Sequence, residues 1–172
     1  MNSKEIETCL SSVVESIPDP RVGLPEEVLR FLYSVTPMIN VDLLVQHEER
    51  GTLFSWRDDV YGKGWHIPGG IIRFRETIEK RICEVARIEL GATVNPDEYP
   101  CDIAQFFDGC RGHFISLLYP CRLTSSVAEE LLSNGKPERD KLKWIQGVPD
   151  QLLSVHRRYE TWFRKSTDSY KK

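Results

Sequence analysis

The segment from residue 68 to residue 91 holds the side chains best suited to bind a cation. On the helix predicted over Glu76–Leu90, Glu89 falls between Ile82 and Val85, in the middle of an apolar stripe. A carboxylate placed there needs a cation, a proton or a route to water at the helix end. Pro68-Gly69-Gly70 precedes the helix and allows main-chain oxygens to approach it closely. The pattern therefore indicates either an oxygen-lined Mg²⁺ site or a Glu89 side chain that bends into solvent.

Two further charged residues lie in predicted strands and could contact a ligand. Arg57 follows Trp56 at the end of the strand predicted over 52–57. Its guanidinium could clamp a phosphate through two parallel hydrogen bonds, or it could be a surface residue at a strand edge. Asp42 interrupts the apolar run 39–46, where it is either a satisfied structural carboxylate or a ligand for a sugar or base.

Histidines and aromatic residues are the remaining candidates for chemistry. His113 and His156 could each act as a general base near neutral pH, with a structural role as the alternative. Trp56, Trp65 and Phe107 could stack on a nucleobase, although aromatic residues in strands commonly belong to the core.

The elements that must position these residues are helices and strands in irregular order. Amphipathic helices are predicted in the first 20 residues and from Pro25 to the residue before Pro37, and strands over 39–46 and 52–57 form a hairpin. Gly91 caps the helix over 76–90. Further strands are predicted over 104–107, 113–123 and 141–146, with helices over 127–132 and 152–163. This order favours an α+β fold over a doubly wound sheet.

The helix region resembles a known sequence motif. Gly70, Glu76, Ala86, Glu89 and Gly91 match the Nudix box, G-x5-E-x7-R-E-U-x-E-E-x-G-U, in which U is aliphatic, at full spacing. The resemblance implies a Nudix fold, a mixed sheet sandwiched between helices, over residues 37–165. Residues 1–36 then form a helical extension that could serve a homodimer contact, and residues 166–172 form a polar tail.

Three box positions depart from the motif, and they affect its charged residues. Glu84 stands where the box has arginine, and Val85 and Ile88 stand where it has two metal-binding glutamates. The GDP-mannose mannosyl hydrolase branch of the family also lacks two box glutamates. The chain resembles that branch from about Leu24 to Trp144, including the run Thr36-Pro37 followed by an apolar strand with Asp42 inside it.

Resemblance to that branch implies a set of site residues. Mg²⁺, with Mn²⁺ as the other candidate ion, would be bound by Gly69, Glu89 and Glu138. The substrate would contact Arg57, Asp42 and Arg73, with Arg73 or Arg75 replacing an arginine whose position is Ile71 here. Trp65 and Phe107 are added as substrate contacts because aromatic rings can stack on a nucleobase, not because of the resemblance. The catalytic candidates are Arg57, Arg139 and His113. The branch has its general base, a histidine, at the position of Arg139. An arginine cannot accept a proton at neutral pH.

Two functions remain open at this stage. The first is Mg²⁺-dependent hydrolysis of a nucleoside diphosphate sugar such as GDP-mannose, or of a related derivative, with attack at carbon or at phosphorus. The second is a catalytically degenerate Nudix-fold module that binds a nucleotide or serves in regulation. Removal of the Glu89 carboxylate separates them, since only the first function requires it for turnover.

Composition limits the partners and the compartment. The 172 residues carry a net charge of −3, which does not favour a nucleic-acid partner. No apolar run is long enough to cross a membrane and the first residues lack a signal-peptide pattern, so the expected location is cytoplasmic. Five cysteines without a C-x-x-C spacing predict free, buried thiols rather than disulfides or a zinc site.

Overall fold

The chain folds around strand β1 (Met38–His47), which pairs with three other strands. The computed structural model describes residues 1–109, 112–124 and 141–164. Strand β2 (Gly51–Asp59) pairs antiparallel with the end of β1, which confirms the predicted hairpin. Strand β7 (Gly112–Leu123) runs parallel to β1, with Asp42 opposite Leu118. The sheet is therefore mixed, as predicted.

The other strands complete this sheet at its edges. Strand β3 (Gly62–His66) and strand β8 (Leu142–Ile145) pair with β2, while β4 (Gly69–Ile71) pairs with β1. Strands β5 (Val94–Pro96) and β6 (Asp102–Gly109) pair with β7. The sequence did not predict β4 and β5, because each has only three residues and no alternating pattern can be read from so few.

Side chains of β1 alternate between two hydrophobic clusters, one on each face of the sheet. Val41, Leu43 and Val45 pack with the buried side of helix α3 (Ile78–Val85). Leu44 packs on the opposite face with Tyr159, which belongs to the C-terminal segment. This segment comprises a 3₁₀ helix (Ser154–Tyr159) and α4 (Glu160–Phe163), where one continuous helix was predicted. Because alternate residues of a strand share a face, Asp42 lies on the Leu44 side.

The predicted helix over 76–90 changes its period before it ends. α3 is followed by a π-helical turn (Ala86–Leu90), and Gly91, at φ 61°, donates its N–H to the Ala86 carbonyl. The prediction that Glu89 lies in the middle of the buried stripe is wrong. The wider turn places Leu90 in the core instead, fully buried, and leaves Glu89 partly exposed. The predicted cap at Gly91 is confirmed.

The N-terminal helices contribute no buried side chain to the structure. Neither α1 (Ser3–Glu15) nor α2 (Glu26–Val35) contains a buried residue. α2 contacts the sheet through the Tyr33 and Phe114 rings, whose centroids are 5.7 Å apart. A capping box formed by Asn2 and Glu5 satisfies main-chain donors at the start of α1. The helix predicted over 127–132 and the polar tail lie outside the described residues.

The cysteines only partly match their prediction. Cys9, Cys83 and Cys121 are free thiols, but Cys9 and Cys83 are exposed, whereas Cys121 is buried. Cys83 lies on the outer face of α3, which a spacing argument cannot detect. Burial raises the pKa of Cys121 to about 12, so its thiol is unreactive at neutral pH. Within the described ranges, no helix is long and apolar enough to cross a membrane.

Candidate functional site

A pocket of about 230 Å³ opens beside β1, between the sheet and the C-terminal segment. Walls from β1, β2, β4 and β7 meet the loop that leads into the 3₁₀ helix. The pocket combines charged, hydroxyl, amide and imidazole groups with an apolar rim that includes Phe106 and Phe114. Its polar lining residues are Asn40, Asp42, Arg57, Tyr61, His66, Ser116, Ser154 and His156.

Asp42 is buried beside this pocket and accepts three hydrogen bonds. Asn40 Nδ2 donates to Oδ1 at 2.8 Å, while Ser116 Oγ and Tyr159 Oη donate to Oδ2 at 2.6 and 2.8 Å. All three donors are electrically neutral, so the carboxylate is stabilised by hydrogen bonds rather than by a salt bridge. Burial, followed by the nearby Asp42 charge, raises the pKa of Tyr159 far above its usual value, so its hydroxyl stays protonated and donating.

Gly69 and Gly70 form the wall between the pocket and α3. A Cβ on Gly69 would collide with the Asp42 carboxylate, and a Cβ on Gly70 would lie 2.8 Å from Val85 Cγ2. Alternate residues of β4 therefore face the pocket and α3, which carries part of the Nudix box motif and is called the box helix below. Only glycine permits both close approaches.

The register of β4 directs the Gly69 main chain away from β1. Leu43 N–H donates to Pro68 O at 2.9 Å and Ile72 N–H donates to Ile39 O at 3.0 Å. In an antiparallel ladder, hydrogen-bonded residue pairs alternate with pairs that are not hydrogen-bonded to each other. Gly69 and Asp42 form a pair of the second kind. The Gly69 carbonyl thus points out of the ladder, which suits the predicted role as a cation ligand.

Arg57 brings a positive charge to the same pocket. Its side chain is 26% exposed, and its Nε lies 3.5 Å from Asp59 Oδ2. One carboxylate at that distance leaves most of the guanidinium hydrogen-bonding capacity for a ligand. Among the described site candidates, Asp42, Arg57 and Gly69 are therefore brought together around one cavity.

Two histidines, His66 and His156, line the pocket next to each other. Their ring centroids are 5.9 Å apart, at an interplanar angle of 73°. His66 Nδ1 lies 2.8 Å from Ile67 O, and Ile67 N–H donates to His156 Nδ1 at 3.1 Å. Both rings are therefore fixed by the main chain of one residue.

The first glutamate of the box is paired with an unexpected partner. Arg81 donates to Glu76 through Nε at 2.8 Å and Nη2 at 3.0 Å, and each side chain is 6% exposed. Burial alone would raise the pKa of Glu76, but hydrogen bonds from Arg81 and the Arg73 N–H outweigh it and lower the pKa. Glu84, at the arginine position of the box, instead pairs with Arg87 at the surface at 2.9 Å.

The other site candidates that the structure describes lie apart from the pocket lining. Trp65 is buried against Trp56 at 5.1 Å between centroids, and the His113 ring stacks on the largely exposed Phe107 at 4.7 Å. Arg73 lies between β4 and α3, where its N–H donates to Glu76. Glu89 is in the π-helical turn beyond α3. Glu138 and Arg139 lie outside the described residues.

The Gly69 carbonyl is one oxygen that suits a cation site with few protein ligands. In the part of the chain that the structure describes, no three residues of the types His, Cys, Asp and Glu come together as a metal cluster. Val85 and Ile88, at two glutamate positions of the box, have hydrocarbon side chains, so neither side chain supplies an oxygen. A carbonyl, one carboxylate and substrate oxygens still suit Mg²⁺, which retains several waters.

Sequence reasoning missed most of the polar network around Asp42. Asn40, Ser116 and Tyr159 come from two strands and the C-terminal segment, so no local motif connects them. The alternation of β1 provided one signal, since Asn40 and Asp42 share a face. His66 lies in the glycine-rich segment 62–70, whose composition gives no signal that this side chain lines a pocket.

Comparisons with known proteins agree with the geometry at the level of the fold. No family model matches the chain. The Low-salt glycan biosynthesis protein Agl8 of Haloferax volcanii is 29% identical over 90 residues, 52% of this chain. The chain spans only 57% of that relative's length.

Solved structures cover more of the chain. A MutT protein from Methanosarcina mazei has a TM-score of 0.58 at 18% identity, over 79% of this chain and 97% of its own. A NUDIX family hydrolase from Clostridium perfringens has a TM-score of 0.57 at 15% identity, over 76% of this chain and 97% of its own. A UDP-X diphosphatase has a TM-score of 0.55 at 16% identity, over 92% of this chain and 75% of its own. These likenesses confirm the predicted α+β architecture, and the chain therefore has the Nudix fold.

Proposed function

We propose that this chain is a hydrolase of a nucleoside diphosphate derivative and depends on a divalent cation. The observation that carries the proposal is the arrangement of Arg57, the buried Asp42 network and Gly69 around one pocket, which shares the glycine wall with the box helix. A guanidinium recognises phosphate, while fixed amide and hydroxyl groups suit a sugar or base. The pocket therefore has both kinds of group that such a substrate requires.

The proposed cation is Mg²⁺, with Mn²⁺ as the other candidate. The Gly69 carbonyl, Glu89 and Glu138 would hold it, and the bound ion would supply positive charge to the diphosphate. Arg57 binds phosphate oxygens in this scheme, and Arg139 adds further positive charge. Asp42 orients substrate through the amide and hydroxyl groups that it holds in place.

The proposed substrate is a nucleoside diphosphate sugar of the GDP-mannose type, hydrolysed at the anomeric carbon. Water would attack the anomeric carbon, the bond between that carbon and the diphosphate oxygen would break, and the nucleoside diphosphate would leave. Gly69, Glu89 and Glu138 would hold a cation whose charge offsets that of the leaving diphosphate. Arg73, Trp65, Phe107 and His113 remain candidates for substrate contact or catalysis. Trp65, Phe107 and His113 could act only after local rearrangement, because they lie outside the pocket lining.

A binding or regulatory module is the second candidate, and the box helix favours it. Val85 packs in the core and Ile88 faces solvent, so the helix offers fewer carboxylates than the complete motif. Such a protein would hold a nucleotide in the same pocket without turnover. The two candidates predict the same binding, but only the hydrolase forms products.

Phosphorus NMR of reaction products separates these functions. The protein is incubated with a panel of nucleotide sugars and Mg²⁺, beside Glu89→Gln and the control Glu84→Gln. Glu84 lies on α3, just before the turn that holds Glu89, and forms an ion pair with Arg87 at the surface, so its replacement should leave turnover unchanged. Glu89→Gln should abolish turnover.

Each pattern of products supports one function. Nucleoside diphosphate with free sugar supports attack at carbon, whereas nucleoside monophosphate with sugar phosphate moves the attack to phosphorus. Binding without turnover across the panel supports the module. Equal turnover by the Glu89→Gln protein would remove the proposed role of this carboxylate.

A further inference from the structure

The contact of His156 with the main chain fixes the proton position on its ring. Ile67 N–H can only donate, so His156 Nδ1 must accept with a lone pair. In the neutral ring the single proton is therefore on Nε2. The same ring lines the pocket described above.

His66 has the opposite arrangement of its ring nitrogens. Its Nδ1 lies 2.8 Å from Ile67 O, and a carbonyl can only accept, so this Nδ1 carries a proton. Ile67 thus fixes the proton positions on both rings, and the edge-to-face contact of His156 with Tyr159, at 6.0 Å, holds the plane of its ring. The tautomer of His156 is built into the wall of the pocket.

The surroundings of His156 also keep its ring neutral. Burial lowers its pKa, the Asp42 charge opposes this effect, and the Arg57 charge adds to it. Protonation of Nδ1 would further cost the hydrogen bond from Ile67. At neutral pH the group presented by His156 is a neutral N–H donor.

We infer that His156 donates a hydrogen bond from Nε2 to an oxygen of the bound nucleoside diphosphate derivative and does not act as the general base. This inference rests on the proposed function and names a further substrate-binding residue for it. Nδ1, the basic nitrogen, is occupied by a main-chain donor. The Nε2–H group would add one directional hydrogen bond to the substrate beside Arg57, and it would bring no second positive charge.

The tautomer can be measured without any ligand. Long-range ¹H–¹⁵N correlation spectra distinguish protonated from unprotonated ring nitrogens, and the signals that disappear in His156→Gln identify the residue among the four histidines. We expect an unprotonated Nδ1 and a protonated Nε2 at pH 7. A protonated Nδ1, in either a neutral or a charged ring, would overturn the inference.

Two amide variants then separate the nitrogens by function. His156→Gln places an amide near the Nε2 position, whereas His156→Asn places it near Nδ1, where its oxygen can accept from Ile67. Calorimetric titration with ADP, GDP, CDP and UDP, each with Mg²⁺, should show a loss of about tenfold in affinity for the Asn variant, from the lost donor. The Gln variant should remain within about threefold of the unaltered protein.

His47→Gln is the matched control for these titrations. His47 is exposed at the end of β1, does not line the pocket and should not affect binding. Unchanged affinity in the Asn variant, or equal losses in both His156 variants, would overturn the assignment of the donor. If no nucleotide binds the unaltered protein, the proposed function and the ligand contact both fail, whereas the spectra still decide the tautomer.

Discussion

Two buried carboxylates on opposite sides of the sheet are stabilised in different ways. Glu76, near the start of α3, receives two hydrogen bonds from the Arg81 guanidinium and one from the Arg73 main chain. Asp42, beside the pocket, receives its hydrogen bonds from an amide and two hydroxyl groups. The first charge is balanced by a cation in direct contact, and the second is not.

This difference distinguishes a structural ion pair from the proposed functional site. An ion pair that is satisfied at both ends has little capacity left for a ligand, and the pair of Glu76 and Arg81 joins the segment before α3 to α3 itself. A carboxylate held by neutral groups keeps a net negative charge next to a cavity that also contains Arg57. Uneven charge in a cleft is typical of binding sites.

The largest expected effect follows from the loss of one partner of the ion pair. Glu76→Gln leaves the Arg81 guanidinium, only 6% exposed, without a counter-charge. We expect the free energy of unfolding to fall by about 3–5 kcal/mol, measured by urea denaturation. The surface variant Glu84→Gln should have little effect, because its pair with Arg87 is exposed.

A double replacement tests the reason for this loss. Glu76→Leu combined with Arg81→Met removes both charges and should recover much of the stability lost in Glu76→Gln. The Glu76 pKa is lowered below 4.5 by folding, so its contribution is present above that pH and is lost as pH falls below it. Similar stabilities of Glu76→Gln and Glu84→Gln would contradict a structural ion pair.

A smaller effect is expected where one of several neutral donors is removed. Tyr159→Phe deletes the hydroxyl that donates to Asp42 at 2.8 Å and keeps the fully buried ring. We expect a loss of about 1.5–3 kcal/mol in the free energy of unfolding, the range for a hydrogen bond to a charged group. Thermal and urea denaturation measure it.

Tyr119→Phe is the control for this variant. Tyr119 is also buried, and its hydroxyl has no hydrogen-bond partner among the described residues. Its replacement should leave stability nearly unchanged. Equal effects of the two substitutions would show that Asp42 does not depend on the Tyr159 hydroxyl.

The pocket should also make stability depend on pH through His156. The groups that face its ring are Asp42, Arg57, His66 and Tyr159. Since folding lowers the pKa of His156 from 6.5, the unfolded chain binds this proton more readily, and stability should fall as pH falls below about 6.5. When the pH is lowered from about 7.5 to about 5.5, the free energy of unfolding should fall less for His156→Gln than for the unaltered protein. An equal fall in both proteins would contradict this prediction.

The smallest effect is expected where no side chain is buried. Deletion of residues 1–22 removes α1, which contributes nothing to either hydrophobic cluster. We expect the free energy of unfolding to change by less than about 0.5 kcal/mol. Light scattering on both proteins tests the predicted homodimer contact. A change from dimer to monomer on deletion would support the contact, and an unchanged number of chains per particle would contradict it.

Much of the fold could be predicted because its signals are local. The hairpin of β1 and β2, the cap at Gly91 and the spacing of Gly70, Glu76 and Glu89 were read correctly from neighbouring residues. The predictions for Glu89 and for the C-terminal helix fail for one physical reason, because the helical period changes within both segments. The π-helical turn shifted Glu89 away from the buried stripe, and the C-terminal helix began as a 3₁₀ helix.

The sequence by itself determined the α+β class, the box helix and the glycine pair before it, because periodicity, capping and spacing are properties of short segments. Only the tertiary structure decided that Arg81 pairs with Glu76, and that Tyr159 and Ser116 support Asp42. It also decided that Ile67 sets the tautomer of His156, 89 residues away. Buried polar groups must find partners wherever the chain brings them, and sequence distance does not restrict that choice.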